Sequence, residues 1–372
     1  MQIVHLTDIH LSEKNFKEFE NNFRKALIND LSKYHSKNNP IELIVITGDL
    51  VDCGGHSLLK MPRFSSTYTN PFNIFDKEFI EPIAAALNIK KTQFLFIPGN
   101  HDINENDILW VNEKSMKKDI NESNIDKYLH DTRHNFNYKN ERLRYFKEFE
   151  FEIHKSTPNY KFSNNESTYL HELKNGYKVG FILLNDSWRC STCELKDDTH
   201  NYHYFGVNQI YSGLKNLDSM GSNINICLHH HSVEDFKERI EFERILTTKN
   251  IELLLYGHHH SNDSQLHYNG VGGCLGFRGR ATLNKPEDSD SKYQSGYKVL
   301  DINFGLNKVE KIHYRKYEYD QTKFVADVRY GDDLGIDCNE RHGGKGYPFS
   351  LQETSPASFL KSLDEDKFKN FK

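Results

Sequence analysis

The sequence lacks a long apolar run, a signal peptide and a dense cysteine framework. No apolar segment approaches the roughly 18 residues that a membrane-spanning helix needs. The amino terminus is typical of a strand and has neither the basic nor the apolar region of a signal peptide. Six cysteines are scattered over 372 residues, which excludes a small domain held together by disulfides. These absences predict a cytoplasmic protein with no membrane association.

An excess of basic charge is also lacking. The chain has 48 Lys and Arg against 53 Asp and Glu, which gives a formal net charge of −5. Proteins that bind nucleic acid non-specifically are generally basic over a whole face, so only a local basic groove stays open as an alternative. The apolar fraction of 37% and the aromatic fraction of 13% exclude a disordered or collagen-like chain.

What the sequence does have is an alternation of short apolar runs with amphipathic stretches. Strands are predicted at 3–7, 42–47, 93–98, 178–185, 225–229, 251–256, 265–270, 297–304 and 309–318. Helices are predicted at 16–34, 76–87, 207–217 and 233–246. The earlier strands are apolar without interruption, which is typical of central strands buried on both faces of an α/β sheet.

Two segments depart from this alternation. Residues 103–165 are polar and mostly helical in pattern, and we expect them to form a cap-like insertion over the carboxyl ends of the strands. Residues 326–372 differ in composition, and we expect a C-terminal extension there through which a protein partner would bind. The rest, 1–325, is expected to form one domain.

Histidine is abundant, with 20 residues in the chain, and eight of them fall in short clusters at predicted strand ends. The five clusters are Asp8-Ile9-His10, Gly48-Asp49-Leu50-Val51-Asp52, Gly99-Asn100-His101-Asp102, His229-His230-His231 and Gly257-His258-His259-His260. Carboxylate, imidazole and carboxamide groups suit Mn, Fe, Zn or similar divalent ions and argue against a thiolate site. The number of side chains is enough for two ions, which together would clamp a phosphoryl group.

These clusters and their order resemble the calcineurin-like metallophosphoesterase family over roughly residues 1–318. The resemblance implies a four-layer α/β/β/α sandwich of two mixed sheets with a helical insertion. It also implies two divalent cations, with Mn²⁺ expected and Fe, Zn or Ni as alternatives. The implied ligands are Asp8, His10 and His260 for the first metal, Asn100, His230 and His258 for the second, and Asp49 for both.

The resemblance further implies a catalytic pair. His101 is expected beside the scissile phosphate as proton donor or charge stabiliser, with Asp102 orienting it. One departure lies in the fourth cluster, where Ser232 stands at a position that is usually proline in the family. That register points to His230 as the ligand and leaves His229 as the alternative.

The expected activity is hydrolysis of a phosphodiester, with a nucleotide or nucleic acid favoured, by in-line attack of a hydroxide that bridges the metals. Leu11, Cys53-Gly54 and Asp102 replace residues typical of protein phosphatases, so the chain looks like the bacterial branch of phosphodiesterases and repair-type nucleases. The alternatives are a phosphomonoesterase or phosphoprotein phosphatase, and a non-catalytic subunit of a larger complex.

Other residues are weaker candidates. Arg278 and Arg280 follow the last histidine cluster and are candidates for substrate binding, with a solvated hairpin tip as the alternative. Basic and aromatic residues of the insertion would suit a nucleobase, with a simple capping helix pair as the alternative. Cys190 and Cys193, followed by His200 and His203, have the residue types of a zinc site.

Overall fold

A computed structural model describes residues 1–121, 123–135, 140–190, 204–268, 273–284, 293–339 and 343–349. The strands are, in chain order, β1 (Gln2–Leu6), β2 (Ile41–Thr47), β3 (Phe94–Ile97), β4 (Tyr160–Lys161), β5 (Ser167–Glu172), β6 (Lys178–Leu183), β7 (Ile224–Leu228), β8 (Ile251–Tyr256), β9 (Asp263–Tyr268), β10 (Gly273–Arg278), β11 (Gly296–Asn303), β12 (Lys308–Glu318), β13 (Lys323–Ala326), β14 (Ile336–Asp337) and β15 (Tyr347–Pro348).

The α-helices are α1 (Glu13–Glu18), α2 (Arg24–Tyr34), α3 (His56–Lys60), α4 (Pro71–Phe75), α5 (Glu81–Leu87), α6 (Trp110–Asp119), α7 (Ile125–Thr132), α8 (Arg144–His154), α9 (Asn208–Met220) and α10 (Arg239–Thr248). A π-helical turn at Phe19–Phe23 joins α1 to α2, and another at Asp76–Ile80 joins α4 to α5. Within the described ranges, no helix is both long and apolar enough to cross a bilayer.

The strands form two mixed sheets. In the first, the order is β13-β12-β11-β1-β2-β3, and β14 and β15 also pair with β12. In the second, the order is β4-β5-β6-β7-β8-β10-β9. β1, β2 and β3 are parallel to one another, as are β6, β7, β8 and β10, whereas β11 and β9 run antiparallel to their neighbours. Parallel strands end at the same edge, so the loops after them meet there.

Three apolar clusters separate four layers, as predicted. In β2, Ile44 and Ile46 pack toward the helices, while Leu43 and Val45 pack between the sheets with side chains of the second sheet. A third cluster joins the second sheet to α9 and α10. Because strand side chains alternate between faces, an uninterrupted apolar run is what burial on both faces requires. The family-type α/β sandwich is therefore confirmed.

The insertion is helical and contains α6, α7 and α8. Its last helix packs under the first sheet, where the ring of Phe149 stacks on Phe96 of β3 at 4.7 Å. The predicted boundary at residue 325 falls inside β13, and β14 and β15 continue the same sheet. Residues 326–349 are thus partly built into the sheet, whereas 350–372 lie outside the described residues.

Candidate metal centre

Seven side chains gather at the carboxyl ends of strands from both sheets. Asp8 and His10 follow β1, Asp49 follows β2, Asn100 follows β3, His230 follows β7, and His258 and His260 follow β8. These are the seven residues for which a ligand role was expected. The convergence follows from the parallel pairing of β1, β2 and β3 in one sheet and of β7 and β8 in the other.

A first group consists of Asp8, His10 and His260. Oδ1 of Asp8 lies 3.4 Å from Nε2 of His260 and 3.8 Å from Nε2 of His10, and the two imidazole nitrogens are 3.2 Å apart. Oδ1 of Asp8 is buried and has no hydrogen-bond partner among the described residues. A buried carboxylate oxygen without a partner is costly, and a divalent cation held by these three atoms would satisfy it. The group therefore fits a metal ion.

A second group forms around Asn100. Its Oδ1 lies 3.1 Å from Nε2 of His230 and 3.2 Å from Nδ1 of His258. The other ring nitrogen of His230, Nδ1, is 2.8 Å from the carbonyl oxygen of Thr47. A proton on Nδ1 that is donated to this carbonyl leaves the Nε2 lone pair directed at the group, which is the usual arrangement of a metal-binding histidine.

Asp49 lies between the two groups. Its Oδ2 is 3.6 Å from Nε2 of His10 and 3.3 Å from Nε2 of His230. Its Oδ1 accepts a hydrogen bond of 2.7 Å from the backbone N–H of His101. Burial raises the pKa of Asp49, but the neighbouring imidazoles, His230 foremost, outweigh burial and hold that pKa well below its ordinary value. One carboxylate thus faces both candidate metal positions.

The backbone at these residues is held in a sparsely populated conformation. The φ angles are +51° at Asp8, +47° at His10, +55° at Asp49, +72° at His258 and +56° at His260. Positive φ is uncommon for residues other than glycine and persists only where the surrounding structure enforces it. Five such residues among seven candidate ligands indicate that the loops are built to aim these side chains.

Gly48 makes the approach of His230 possible. Its φ is +92°, and a Cβ at this position would lie 2.3 Å from Nδ1 of His230. Any larger residue would therefore push the imidazole away from the carbonyl of Thr47. Position 48 therefore requires glycine for two reasons, namely the positive φ angle and the lack of room for a side chain beside His230.

His101 is oriented by Asp52. Nδ1 of His101 lies 2.8 Å from Oδ1 of Asp52, and its ring is 4.6 Å from that of His10 in an edge-to-face arrangement. Burial lowers the pKa of His101, but the hydrogen bonds to Asp52 and Cys53 and the charge of Asp49 outweigh burial and raise it to about 11. This raised pKa favours the protonated form of His101 beside the two groups.

The prediction that Asp102 orients His101 is wrong. Oδ1 of Asp102 accepts the N–H of Val51 at 3.0 Å, and Oδ2 accepts that of Gly99 at 2.8 Å. Its side chain thus ties two loops together under the site, away from Nδ1 of His101. Burial and the charge of Asp49 raise the pKa of Asp102 to about 8. Asp52 lies in the same cluster as Asp49, three residues later. This position was the signal in the sequence that could have identified Asp52 as the partner of His101.

His229 and His230 point in different directions. His229 is fully buried, and its ring stacks on Tyr256 at 5.0 Å with its Nδ1 2.6 Å from the carbonyl oxygen of His231. His230 instead faces Asn100 and Asp49. The geometry favours His230 as the ligand, and its ligation remains a prediction.

Asp186, which sequence reasoning did not select, positions the loop that carries His230. Its Oδ2 accepts the backbone N–H groups of His230 at 3.0 Å and His231 at 2.8 Å. Asp186 follows β6 and is fully buried. The signal available in the sequence was a carboxylate directly after a central strand. No histidine stands beside it to indicate that it belongs to the site.

The expectation that Arg280 binds substrate is corrected by its burial. The side chain is fully buried, and Nη1 lies 2.9 Å from Oδ2 of Asp327, which is also buried. Arg278 is partly exposed and donates from Nε to the carbonyl oxygen of Ser261 at 3.0 Å, next to His260. Arg278 remains a candidate for substrate binding.

Two arginines of the insertion are engaged within the protein. Arg142 is buried and pairs with the buried Glu113, and Arg133 pairs with Glu166. These contacts favour the capping-helix interpretation over a grip on a nucleobase. The expected zinc-type cluster lies outside the described residues, except for Cys190, which is buried.

The fold and the gathered side chains define an α/β protein with a candidate metal centre at its strand ends. The model of the family described as calcineurin-like phosphoesterase matches residues 1–262. The chain therefore belongs to the calcineurin-like phosphoesterase family, whose members hydrolyse phosphate esters with the help of metal ions. No curated protein matches the chain significantly in sequence.

Several solved structures are distantly similar. A dimetal phosphatase from Danio rerio is 10% identical, with a TM-score of 0.42, over 84% of this chain and 95% of that one. The calcineurin-like phosphoesterase YfkN from Bacillus subtilis is 16% identical, with a TM-score of 0.41, over 87% of each chain. The zinc complex of Vps29 from Entamoeba histolytica is 10% identical, with a TM-score of 0.31, over 85% of this chain and 92% of that one.

Proposed function

We propose that the chain hydrolyses a phosphodiester at a centre of two divalent cations, with Mn²⁺ the first ion to test. Asp8, His10 and His260 would hold one ion, Asn100, His230 and His258 the other, and Asp49 both. Two ions in such a site activate water and neutralise the charge of the phosphoryl oxygens.

One observation carries this proposal, namely the position of Asp49. Its Oδ2 lies within 3.6 Å of an imidazole nitrogen from each of the two groups. Three candidate ligands lie on each side of this carboxylate, which is the arrangement expected for two ions and not for one. The buried Oδ1 of Asp8, without a hydrogen-bond partner among the described residues, supports a cation at the first group.

The protein's own part in the reaction is to position charge and a proton. Asp52 fixes the ring of His101 through Nδ1, which leaves Nε2 as the donor toward a bound ester. The hydrogen bond to Asp52 raises the pKa of His101, which favours the protonated ring. It stabilises the negative phosphoryl group and gives a proton to the departing alkoxide.

The preference for a diester rests on the sequence. Leu11, Cys53 and Gly54 stand where protein phosphatases of this family typically have other residues. A nucleotide or nucleic acid is the favoured source of the diester. The monoesterase and the non-catalytic subunit are alternatives that a kinetic comparison of two esters separates.

The test compares hydrolysis of bis-p-nitrophenyl phosphate and p-nitrophenyl phosphate by the metal-free protein with and without added Mn²⁺. We expect Mn²⁺-dependent turnover with the diester preferred, and loss of turnover in Asp49→Ala because the shared carboxylate is removed. His101→Ala should lower kcat by about 100-fold, because the side chain that stabilises the negative phosphoryl oxygens is removed. His130→Ala removes an exposed histidine of α7 and should match the wild-type rate.

Each other outcome has a definite meaning. Faster turnover of the monoester would support a phosphomonoesterase. Binding of two Mn²⁺ per chain without hydrolysis of either ester would support a non-catalytic subunit. Full activity of Asp49→Ala would overturn the proposed centre.

A further inference from the structure

A buried ion pair connects the C-terminal part of the first sheet to the loop after β10. Arg280 and Asp327 have exposed side-chain fractions of 0% and 1%, and Nη1 of Arg280 lies 2.9 Å from Oδ2 of Asp327. The guanidinium carbon also lies 5.3 Å from the centre of the Tyr330 ring. Burial of a charge costs much free energy unless a partner compensates it, so the two side chains depend on each other.

The loop that carries Arg280 touches the first of the two metal-binding loops. The N–H of Thr282 donates to the carbonyl oxygen of Thr7 at 2.7 Å. In return, Oγ1 of Thr282 accepts the N–H of Thr7 at 3.0 Å. Thr7 is adjacent to Asp8, and its hydroxyl donates to Oδ2 of Asp8 at 2.7 Å. The position of Asp8 therefore depends on residues 281–283.

The same loop touches the second metal-binding loop. The N–H of Arg280 donates to Oδ1 of Asn262 at 3.2 Å, and Nε of Arg278 donates to the carbonyl oxygen of Ser261 at 3.0 Å. The N–H of Ala281 lies 3.4 Å from the carbonyl oxygen of His260. Residues 278–283 thus join the loop of Asp8 and His10 to the loop of His260, which together form the first group.

Asp327 is itself fixed to the first sheet. Its N–H donates to the carbonyl oxygen of Tyr314 in β12 at 2.9 Å, and its carboxylate accepts from Nε and Nη2 of Arg329 at 3.0 and 3.1 Å. Gly296 of β11 packs against Arg280, because a Cβ there would lie 2.5 Å from Cδ of the arginine. The guanidinium therefore has a fixed anchor on one side and the loop on the other.

We propose that Arg280 and Asp327 are positioning residues that set the geometry of the first metal site. The inference rests on the ligands given under the proposed function. Residues 278–283 hydrogen-bond directly to Thr7 and to the carbonyl oxygen of His260, whereas the second group is linked to them through Asp8, whose Oδ2 accepts the N–H of His258 at 3.1 Å. Loss of the pair should therefore weaken one of two Mn²⁺ binding events more than the other.

The test is titration of metal-free Asp327→Asn with Mn²⁺ by calorimetry, together with electron paramagnetic resonance of the loaded protein. We expect one of two dissociation constants to rise by about tenfold, as for the loss of other groups that orient metal ligands. The other should change less, because residues 278–283 reach the second group only through Asp8. The resonance should change from that of coupled Mn²⁺ pairs to that of single ions when metal is limiting.

The chain offers a matched control in the buried pair of Asp30 and Arg315. Nε and Nη2 of Arg315 each lie 2.7 Å from an oxygen of Asp30, and this pair joins α2 to β12. Asp30→Asn should lower the melting temperature at least as much as Asp327→Asn, because it also breaks a hydrogen bond from Tyr297. Both of its Mn²⁺ dissociation constants should match the wild type.

The outcomes separate the two proposals. If the wild type binds fewer than two Mn²⁺, the proposed centre fails, and the positioning role fails with it. If the wild type binds two and Asp327→Asn binds both as tightly, or if both variants weaken both sites equally, the positioning role alone is overturned. Arg280→Lys, which keeps the cation but loses the planar guanidinium, serves the same comparison if Asp327→Asn does not fold.

Discussion

At the scale of single residues, two carboxylates near the centre have separate tasks. Asp52 is about a quarter exposed and contacts Nδ1 of His101, whereas Asp102 is buried and binds two backbone N–H groups. The first orients the candidate catalytic histidine, and the second holds the loops in place. A carboxylate next to a histidine in sequence need not be its partner in space.

Asp52→Asn should lower kcat for the diester by about 100-fold, because the imidazolium loses the charge that stabilises it. The melting temperature should change little, since the group is partly exposed. Asp102→Asn, which keeps one acceptor for a backbone N–H, is the matched control and should retain most of the rate. Steady-state kinetics and thermal melts of both variants check this. Equal losses of rate in both variants would show that Asp52 has no special role.

Residue types and their order marked the five clusters, since carboxylates and imidazoles at successive strand ends have few other uses. The resemblance to the family then selected the seven candidate ligands within them. The partners of those ligands were harder to predict. Asp186 and Asp327 act from distant parts of the chain, and Arg280 looked exposed in sequence but is buried. Contacts between buried side chains and distant segments of the backbone leave no local pattern in the sequence.

At the scale of elements, two kinds of element were predictable. Strands buried on both faces are apolar without interruption, and the helical segment of α1 and α2 has apolar residues at helical spacing along its buried side. β10 and β5 were missed. β10 contains two glycines and gains its regularity from pairing with β8 and β9. The predicted helix at 233–246 is instead a short 3₁₀ turn at Val233–Asp235, in which Asp235 accepts the N–H of Ser232, followed by α10.

The loop between β2 and Asp49 offers a test at this scale. Gly48→Ala should cost about 1–3 kcal/mol for its positive φ, and it should also displace His230 and reduce the Mn²⁺ bound per chain. Gly176→Ala is the matched control, since Gly176 has φ +81° and a Cβ there would meet nothing within 4 Å. It should lose stability without losing metal. Metal analysis after dialysis, beside chemical denaturation, distinguishes the two effects, and equal metal content in both variants would contradict the role of Gly48.

At the scale of the whole molecule, a buried cation lies between the two sheets. Lys298 of β11 is fully buried, and its Nζ donates to the carbonyl oxygen of Arg278 at 2.7 Å. Burial, with the charges of Arg280 and Arg278, lowers its pKa to about 7. The unfolded chain holds this proton up to its ordinary pKa of 10.5, so it binds more protons than the folded protein between the two values.

The free energy of unfolding should therefore increase as the pH rises from about 7 toward 10, by up to about 1.4 kcal/mol per pH unit from this group. Lys298→Met should flatten that rise. Lys311→Met, at an exposed position of the neighbouring strand β12, should leave it unchanged. Urea denaturation at several pH values measures the slope, and an unchanged slope in Lys298→Met would exclude this source of pH dependence.

The pairing of β1 with β11 has a consequence for how the protein is made. The first strand hydrogen-bonds to residues about 300 positions later, and the terminal ammonium group of Met1 donates to the carbonyl oxygen of Ile302 at 2.8 Å. All seven candidate ligands have been synthesised once the chain reaches residue 260. At that point β11 has not yet been made, and one side of β1 has no neighbour. β1 therefore gains this second neighbour only when β11 has been made, so we expect the candidate centre to take its final form only after the two strands pair.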